Sequence, residues 1–171
     1  MFRYRSVGDG ALWADCRRER DDPSCRPAAI MGESATRLFG LALAGIIRDE
    51  QGRVLLLRRR DAAKHFAGRW EPPGGKMAPG EGLDEALRRE VAEEAGLDVR
   101  LESVAGHSGF DLPRVRVVVL YFNCARCAGE VRLSPGHSDH LWASAEQLRE
   151  MELTEPFARF VHSAGVVRGP A

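Results

Sequence analysis

Hydrophobic and polar positions follow a regular pattern only from residue 38 onward. Residues 38–47 are apolar and predict a buried strand, and residues 53–59 read as its hairpin partner after a polar turn. Residues 82–95 have helical spacing and stop at Gly96, a typical helix end. Further strands are predicted at 99–109, 114–122, 129–133 and 141–143, and further helices at 145–150 and 155–162. This order predicts a mixed α/β fold, with helices packed on a sheet.

Two segments depart from this regular pattern. Residues 1–35 are charged and punctuated by proline, with neither a helical nor a strand period, so we expect a loosely packed or disordered extension. The remaining residues, 36–171, are enough for a domain with its own core. Residues 71–75 read Glu-Pro-Pro-Gly-Gly, and we expect no regular element there because proline and glycine break both helix and sheet.

Charge and composition exclude several classes of protein. Lys and Arg together number 25, as do Asp and Glu, so a strongly basic nucleic-acid binder is not indicated. No apolar run is long enough to span a membrane, and the N-terminus has no apolar signal segment. We therefore expect a cytoplasmic protein with no nucleic-acid or membrane partner. Its four cysteines would then be reduced, although Cys124 and Cys127 with Cys16 and Cys25 could alternatively hold zinc.

The chemistry is concentrated in residues 75–97, which read GKMAPGEGLDEALRREVAEEAGL. Glu90, Glu93 and Glu94 are spaced i, i+3 and i+4, so they share one face of the predicted helix. Carboxylates this close repel one another unless a cation lies among them, and oxygen ligands favour a hard dication, Mg²⁺ or Mn²⁺. Arg89 lies beside this face and would hold the carboxylates in place.

Residues 75–97 resemble the signature of the Nudix hydrolases in register, and the likeness extends over residues 37–165. The resemblance implies an α/β/α sandwich built on a mixed β-sheet. It also implies an enzyme that uses Mg²⁺ or Mn²⁺ to cleave a nucleoside diphosphate linked to another group. Glu90, Glu93 and Arg89 are then the expected catalytic residues.

A second stretch is similar to the MutT branch of that family, which converts nucleoside triphosphates to monophosphate and pyrophosphate. It comprises Arg59-Arg60, His65 and residues 70–76. The resemblance implies that Gly74 lends its carbonyl to a metal held by Glu90, Glu93 and Glu94. It also implies a substrate site, and the residues expected to form it are Arg60, His65, Glu71, Lys76 and Thr154. Trp70 or Phe66 could stack on the base.

Several alternatives remain open at this point. Thr154 stands where sanitising members of the branch carry an asparagine that reads oxidised guanine, and a hydroxyl cannot replace the donor–acceptor pair of a carboxamide. A cytidine or deoxynucleoside triphosphate would fit as well. Pro113, sixteen residues after Leu97, resembles the ADP-ribose branch and makes ADP-ribose or a nucleotide sugar the second candidate substrate. The third hypothesis is a non-catalytic regulator that binds nucleotides, although such proteins are expected to lose these carboxylates.

The general base is not fixed by the sequence. Glu90 is the first candidate, as either metal ligand or base. A second group of candidates, expected in a loop after Glu130, consists of His137, Asp139 and His140.

Overall fold

The structure is a computed structural model that describes residues 38–163, so the expected extension at 1–35 lies outside the described residues. Its strands and helices follow in the order β1 (Leu38–Ile47), β2 (Val54–Arg59), β3 (Trp70–Glu71), β4 (Gly74–Lys76), α1 (Leu83–Ala95), β5 (Asp98–Asp111), β6 (Val115–Ala128), β7 (His137–Ala143), α2 (Ala145–Glu150) and α3 (Glu155–Ser163). No helix in this described part is long and apolar enough to cross a membrane.

The strands form two sheets. The first has the order β4-β1-β6-β5, in which β1 runs parallel to β6 while β4 and β5 pair antiparallel with their neighbours. The second has the order β3-β2-β7 and is antiparallel throughout. The prediction of a mixed sheet with packed helices is therefore confirmed, with the strands divided between two sheets.

Side chains alternate between the two faces of each strand, so the core has two layers, one on each face of the strands. Leu43 and Ile47 of β1 pack with the buried face of α1, whereas Ala44 and Ile46 pack with α2 and α3. The side chains of β2 and β6 divide in the same way. Because side chains on both faces of these strands are buried, helices cover both sides, which gives the α/β/α arrangement.

The helix of residues 82–95 and its glycine stop are confirmed: α1 ends at Gly96, which adopts the left-handed conformation with φ of 69°. Several local predictions are wrong. Residues 53–59 are not the hairpin partner of residues 38–47, because β1 and β2 lie in different sheets. Residues 71–75 contribute to β3 and β4, because the two buried prolines lie between the short strands, where the chain passes from one sheet to the other. Residues 129–133 form no strand: the Arg132 N–H donates to the carbonyl of Ala95, which ties this segment to the end of α1.

Candidate active site

Helix α1 places its acidic residues at the edge of the core. Its apolar face is fully buried through Ala86, Leu87, Val91 and Ala95, which fixes the rotation of the helix about its axis. At its N-terminus the Glu85 carboxylate accepts a hydrogen bond from the Gly82 N–H at 3.0 Å. The remaining glutamates of the helix are thereby presented toward β4 or toward solvent.

Arg89 holds a carboxylate network beside this helix face. Its Nε and Nη2 donate to the two carboxylate oxygens of Glu81 at 2.8 and 3.0 Å, and its Nη1 donates to Glu90 at 2.8 Å. Glu93 lies 3.5 Å from the same Nη1, with a side chain that is 60% exposed. The hydrogen bond from Arg89 holds the pKa of Glu81 down at about 2, so Glu81 stays ionised. Arg89 thus orients the loop carboxylate and Glu90 together.

Glu90 and Glu94 converge on the glycines of β4. The Gly74 N–H donates to Glu94 Oε2 at 2.9 Å. Glu90 approaches Gly75 so closely that a Cβ on this glycine would lie 2.3 Å from Glu90 Oε2. Any larger residue at this position would therefore have to displace the Glu90 carboxylate. Glu93, by contrast, is directed toward Arg89 and solvent.

Glu94 is the most perturbed of these carboxylates. Burial raises its pKa to about 7, and the charges of Glu71 and Glu90 act in the same direction, while the Gly74 N–H and His137 oppose them. A cation bound here would offset the repulsion between this buried carboxyl and its two acidic neighbours.

The donor set fits a hard dication, although the described residues 38–163 contain no group of three His, Cys, Asp or Glu already arranged as a metal cage. Glu90 and Glu94 flank the glycines with carboxylate oxygens, and the Gly74 carbonyl belongs to the same short strand. Oxygen donors of this kind suit Mg²⁺ or Mn²⁺ rather than a soft metal. Metal binding by Gly74, Glu90, Glu93 and Glu94 stays a prediction.

A cavity of about 280 Å³ opens beside β4. It lies between β1, β4 and β6, the ends of β2, β3 and β5, the loop before β3 and the start of α3. The wall is largely apolar, with aromatic side chains from Phe66, Phe110, Tyr121 and Phe157. Gly74 and Gly75 belong to the wall too, so the cavity and the acidic cluster share these two residues.

Four of the five predicted substrate-binding residues line this cavity: His65, Glu71, Lys76 and Thr154. Arg60 does not, and this expectation needs correction. Its Nε donates to the carbonyl of Pro135 at 2.7 Å, away from the cavity. Its neighbour Arg59 lines the wall instead. Arg59 Nη1 donates to Glu71 Oε1 at 2.5 Å, and its Nε donates to the carbonyl of His65 at 2.9 Å.

The two candidates for base stacking differ in position. Phe66 lines the cavity and meets Phe110 edge-on, with ring centroids 5.3 Å apart. Trp70 packs against the hydrophobic core instead and does not line the cavity. Phe66 is therefore the better placed aromatic side chain for a base.

The candidate base residues after Glu130 lie in strand β7, not in a loop. Asp139 and His140 are exposed there, whereas His137 is buried and lies 3.9 Å from Glu71. The sequence did not predict the burial of His137, because so polar a segment has no hydrophobic period that would mark a buried position.

The zinc alternative receives no support within residues 38–163. Cys124 is buried in the core and Cys127 is exposed, and both are free thiols on strand β6. Burial raises the pKa of the Cys124 thiol to about 12, which disfavours the thiolate that zinc requires. Cys16 and Cys25 lie outside the described residues.

Pro113 has an ordinary structural explanation. It lies in the turn between β5 and β6, where the Leu112 N–H donates to the carbonyl of Val115 at 2.8 Å. Leu112 lines the cavity, whereas Pro113 does not. A proline in a tight turn needs no substrate to account for it.

Known proteins resemble this chain over the described part. A family model described as the NUDIX domain matches residues 38–163. The nucleoside triphosphatase NudI of Escherichia coli is 30% identical over 113 residues, which cover 60% of this chain and 80% of NudI. The MutT protein of Methanosarcina mazei Go1 is 33% identical with a TM-score of 0.71, covering 77% of this chain and 96% of that protein.

A third likeness extends only to the fold. An ADP-ribose pyrophosphatase of Streptococcus suis has a TM-score of 0.57 and 22% identity, covering 75% of this chain and 88% of that protein. It therefore bears on the architecture and not on the substrate.

Proposed function

The chain belongs to the Nudix hydrolase family, and on that premise we propose that it hydrolyses nucleoside triphosphates to monophosphate and pyrophosphate, with Mg²⁺ or Mn²⁺ as cofactor. The family makes the protein an enzyme that acts on a phosphoric anhydride. The likeness to the nucleoside triphosphatase NudI and to a MutT protein supports a triphosphate as the substrate.

One observation carries the proposal: the cavity and the acidic cluster share Gly74 and Gly75. A nucleotide with its base among the aromatic side chains of the cavity would have its phosphates directed toward these glycines. They would then lie beside Glu90 and Glu94. The apolar wall suits a base, and the carboxylates suit a dication that accompanies phosphate.

Cations at the edge of the cavity complete this arrangement. Lys76 and Arg59 both line it, and either could neutralise phosphate charge. Arg59 takes the role that the sequence had suggested for Arg60.

The mechanism follows from the residues around β4. Glu90 and Glu94 would hold the dication together with the Gly74 carbonyl, and Arg89 would keep Glu90 oriented. When bound, the dication supplies the positive charge that offsets the phosphates and activates water. Glu90, or the more exposed Glu93, would accept the proton of the attacking water. Phosphoryl transfer of this kind depends on positioning and charge more than on covalent catalysis.

The base that is preferred depends on Thr154. This residue is 1% exposed and lines the cavity, and its backbone N–H donates to the carbonyl of Trp70. Its hydroxyl offers a single donor, so we do not propose specificity for oxidised guanine. The proposed substrate class is a nucleoside or deoxynucleoside triphosphate, with cytidine nucleotides included.

We include a cytoplasmic location in the proposal. The thiols of Cys124 and Cys127 are free, as expected in a reducing compartment.

A substrate panel with Mg²⁺ tests the proposal. It should contain canonical, oxidised and methylated triphosphates, ADP-ribose and a dinucleoside polyphosphate, with the products resolved by chromatography. We expect monophosphate and pyrophosphate from one or more triphosphates, and a loss of about 100-fold or more in kcat for Glu94→Gln. Glu50→Gln, in the exposed turn after β1, is the matched control. Turnover of ADP-ribose alone would contradict the proposal.

A further inference from the structure

His137 is a buried residue that the proposed mechanism leaves without a role. Its side chain is 3% exposed, and its Nε2 has no hydrogen-bond partner among residues 38–163. An unpaired polar atom in a protein interior costs free energy, and such atoms are rare in folded proteins. We therefore expect this nitrogen to acquire a hydrogen-bond partner at some stage of the reaction.

The nitrogen faces a carboxylate that belongs to the cavity wall. Nε2 of His137 lies 3.9 Å from Glu71 Oε1, and the same oxygen accepts the hydrogen bond from Arg59 Nη1. These three residues come from the three strands of the second sheet, and Arg59 and His137 are cross-strand partners. Arg59 and Glu71 line the cavity, while His137 lies behind them.

The contacts on the two sides of the ring together favour a proton on Nε2. Nδ1 of His137 lies 3.1 Å from Ser134 Oγ, and this hydroxyl already accepts the Gly136 N–H at 3.3 Å. The Ser134 O–H can donate as well as accept, so it can serve as the donor to Nδ1. The Glu71 carboxylate, which only accepts, lies 3.9 Å from Nε2 and favours a proton on that nitrogen. In this tautomer His137 presents a donor to Glu71.

We propose that His137 is a positioning residue, whose Nε2–H donates to Glu71 and so fixes the Arg59 guanidinium in the wall of the nucleotide site. The separation of 3.9 Å is longer than a hydrogen bond. Polar contacts in catalytic sites often tighten only when substrate binds, and a shift of about 1 Å would suffice here. The effect on KM for the nucleotide rests on the proposed function, whereas the tautomer and its coupling to Glu71 do not.

Kinetics separate positioning from a merely structural role. We expect His137→Leu to raise KM for the triphosphate about 10-fold and to leave kcat within about 2-fold, the size of effect typical of a residue that orients a ligand-contacting group. His137→Gln, which keeps an N–H donor, should restore most of the affinity. His137→Leu removes an unpaired buried nitrogen together with the contact between Nδ1 and Ser134, two effects of opposite sign, so its Tm should change little. His107→Leu, on the exposed edge of β5, is the matched control.

A double-mutant cycle identifies the partner. In a Glu71→Gln background, His137→Leu should add little to the increase in KM, since the carboxylate that it positions is already gone. Fully additive effects of the two substitutions, or a wild-type KM for His137→Leu, would overturn the proposal.

NMR of the wild-type protein tests the inference without any activity assay. Long-range imidazole ¹⁵N spectra should show His137 protonated at Nε2, and Glu71→Gln should shift that resonance. A proton on Nδ1 alone, or no response to Glu71→Gln, would refute the positioning role. If the enzyme hydrolyses no triphosphate while both NMR results hold, the proposed function fails and the contact between His137 and Glu71 stands.

Discussion

Replacing Glu94 by glutamine should change how the stability of the protein depends on pH. The buried carboxyl has a pKa of about 7 against an ordinary value of 4.5, so the folded state holds the proton more tightly than the unfolded chain. The resulting stabilisation is complete below pH 4.5 and is lost as the pH rises through about 7. Glutamine resembles the protonated form, accepts the hydrogen bond from Gly74 equally well and does not titrate.

The size of the effect follows from the shift. A pKa that moves from 4.5 to about 7 adds about 3 kcal/mol to the free energy of unfolding at low pH. Most of this contribution is lost between about pH 5 and 8. For a domain of this size, a change of 1 kcal/mol moves Tm by about 3 °C. Without Mg²⁺, the wild type and Glu94→Gln should therefore have nearly the same Tm at about pH 5. At about pH 8 the variant should be more stable by roughly 10 °C.

Thermal unfolding across this pH range, in EDTA and in Mg²⁺, provides the assay. Mg²⁺ should raise the Tm of the wild type most at the high-pH end, where Glu94 is ionised, and should raise that of Glu94→Gln less. Glu50→Gln, with an exposed carboxylate, should track the wild type throughout. A difference in Tm between the wild type and Glu94→Gln that stays constant from about pH 5 to 8 would refute the reasoning.

Three further substitutions have expected outcomes. Gly75→Ala should weaken Mg²⁺ activation about 10-fold in a metal titration, because a Cβ would lie 2.3 Å from Glu90 Oε2; unchanged activation would show that the carboxylate moves freely. Arg89→Lys should lower kcat about 10-fold at saturating substrate, since lysine cannot donate in parallel to both oxygens of Glu81, and wild-type turnover would count against this network. Thr154→Asn should raise kcat/KM for oxidised guanine triphosphate about 10-fold relative to the unmodified nucleotide, whereas an unchanged ratio would exclude contact with the base.

Local patterns with one strong period predicted most of the fold. Helix α1 could be read from the sequence because its apolar spacing and Gly96 agree, and the structure has this glycine at a φ of 69°. The buried strands β1 and β2 were equally clear, since long apolar runs between polar turns allow few other elements. The relative placement of Glu90 and Glu94 followed from helical geometry alone.

Details that depend on tertiary pairing could not be predicted. The choice between Arg59 and Arg60 depends on which face each occupies near the end of β2, and the register between β2 and β7 shifts at Arg58/Arg59. A one-residue slip exchanges the two faces of a strand, and a bulge leaves no clear mark in a run of arginines. The burial of His137 was hidden for the same reason, because its strand is polar and its partner is far away in the chain.

The segment from Trp70 to Lys76 links the two halves of the candidate site. Glu71 belongs to the second sheet and Gly74 to the first, and Pro73 between them accepts the Gly45 N–H of β1 at 2.9 Å. Proline has no backbone N–H, so at this crossing between sheets it leaves no donor without a partner. The same residues that break a regular strand therefore make the passage between the sheets possible. The carboxylate of Glu71 on the nucleotide side thereby acts on the pKa of Glu94 on the metal side. A change at either residue should therefore alter both nucleotide affinity and metal affinity, because a short stretch of backbone holds the two sites together.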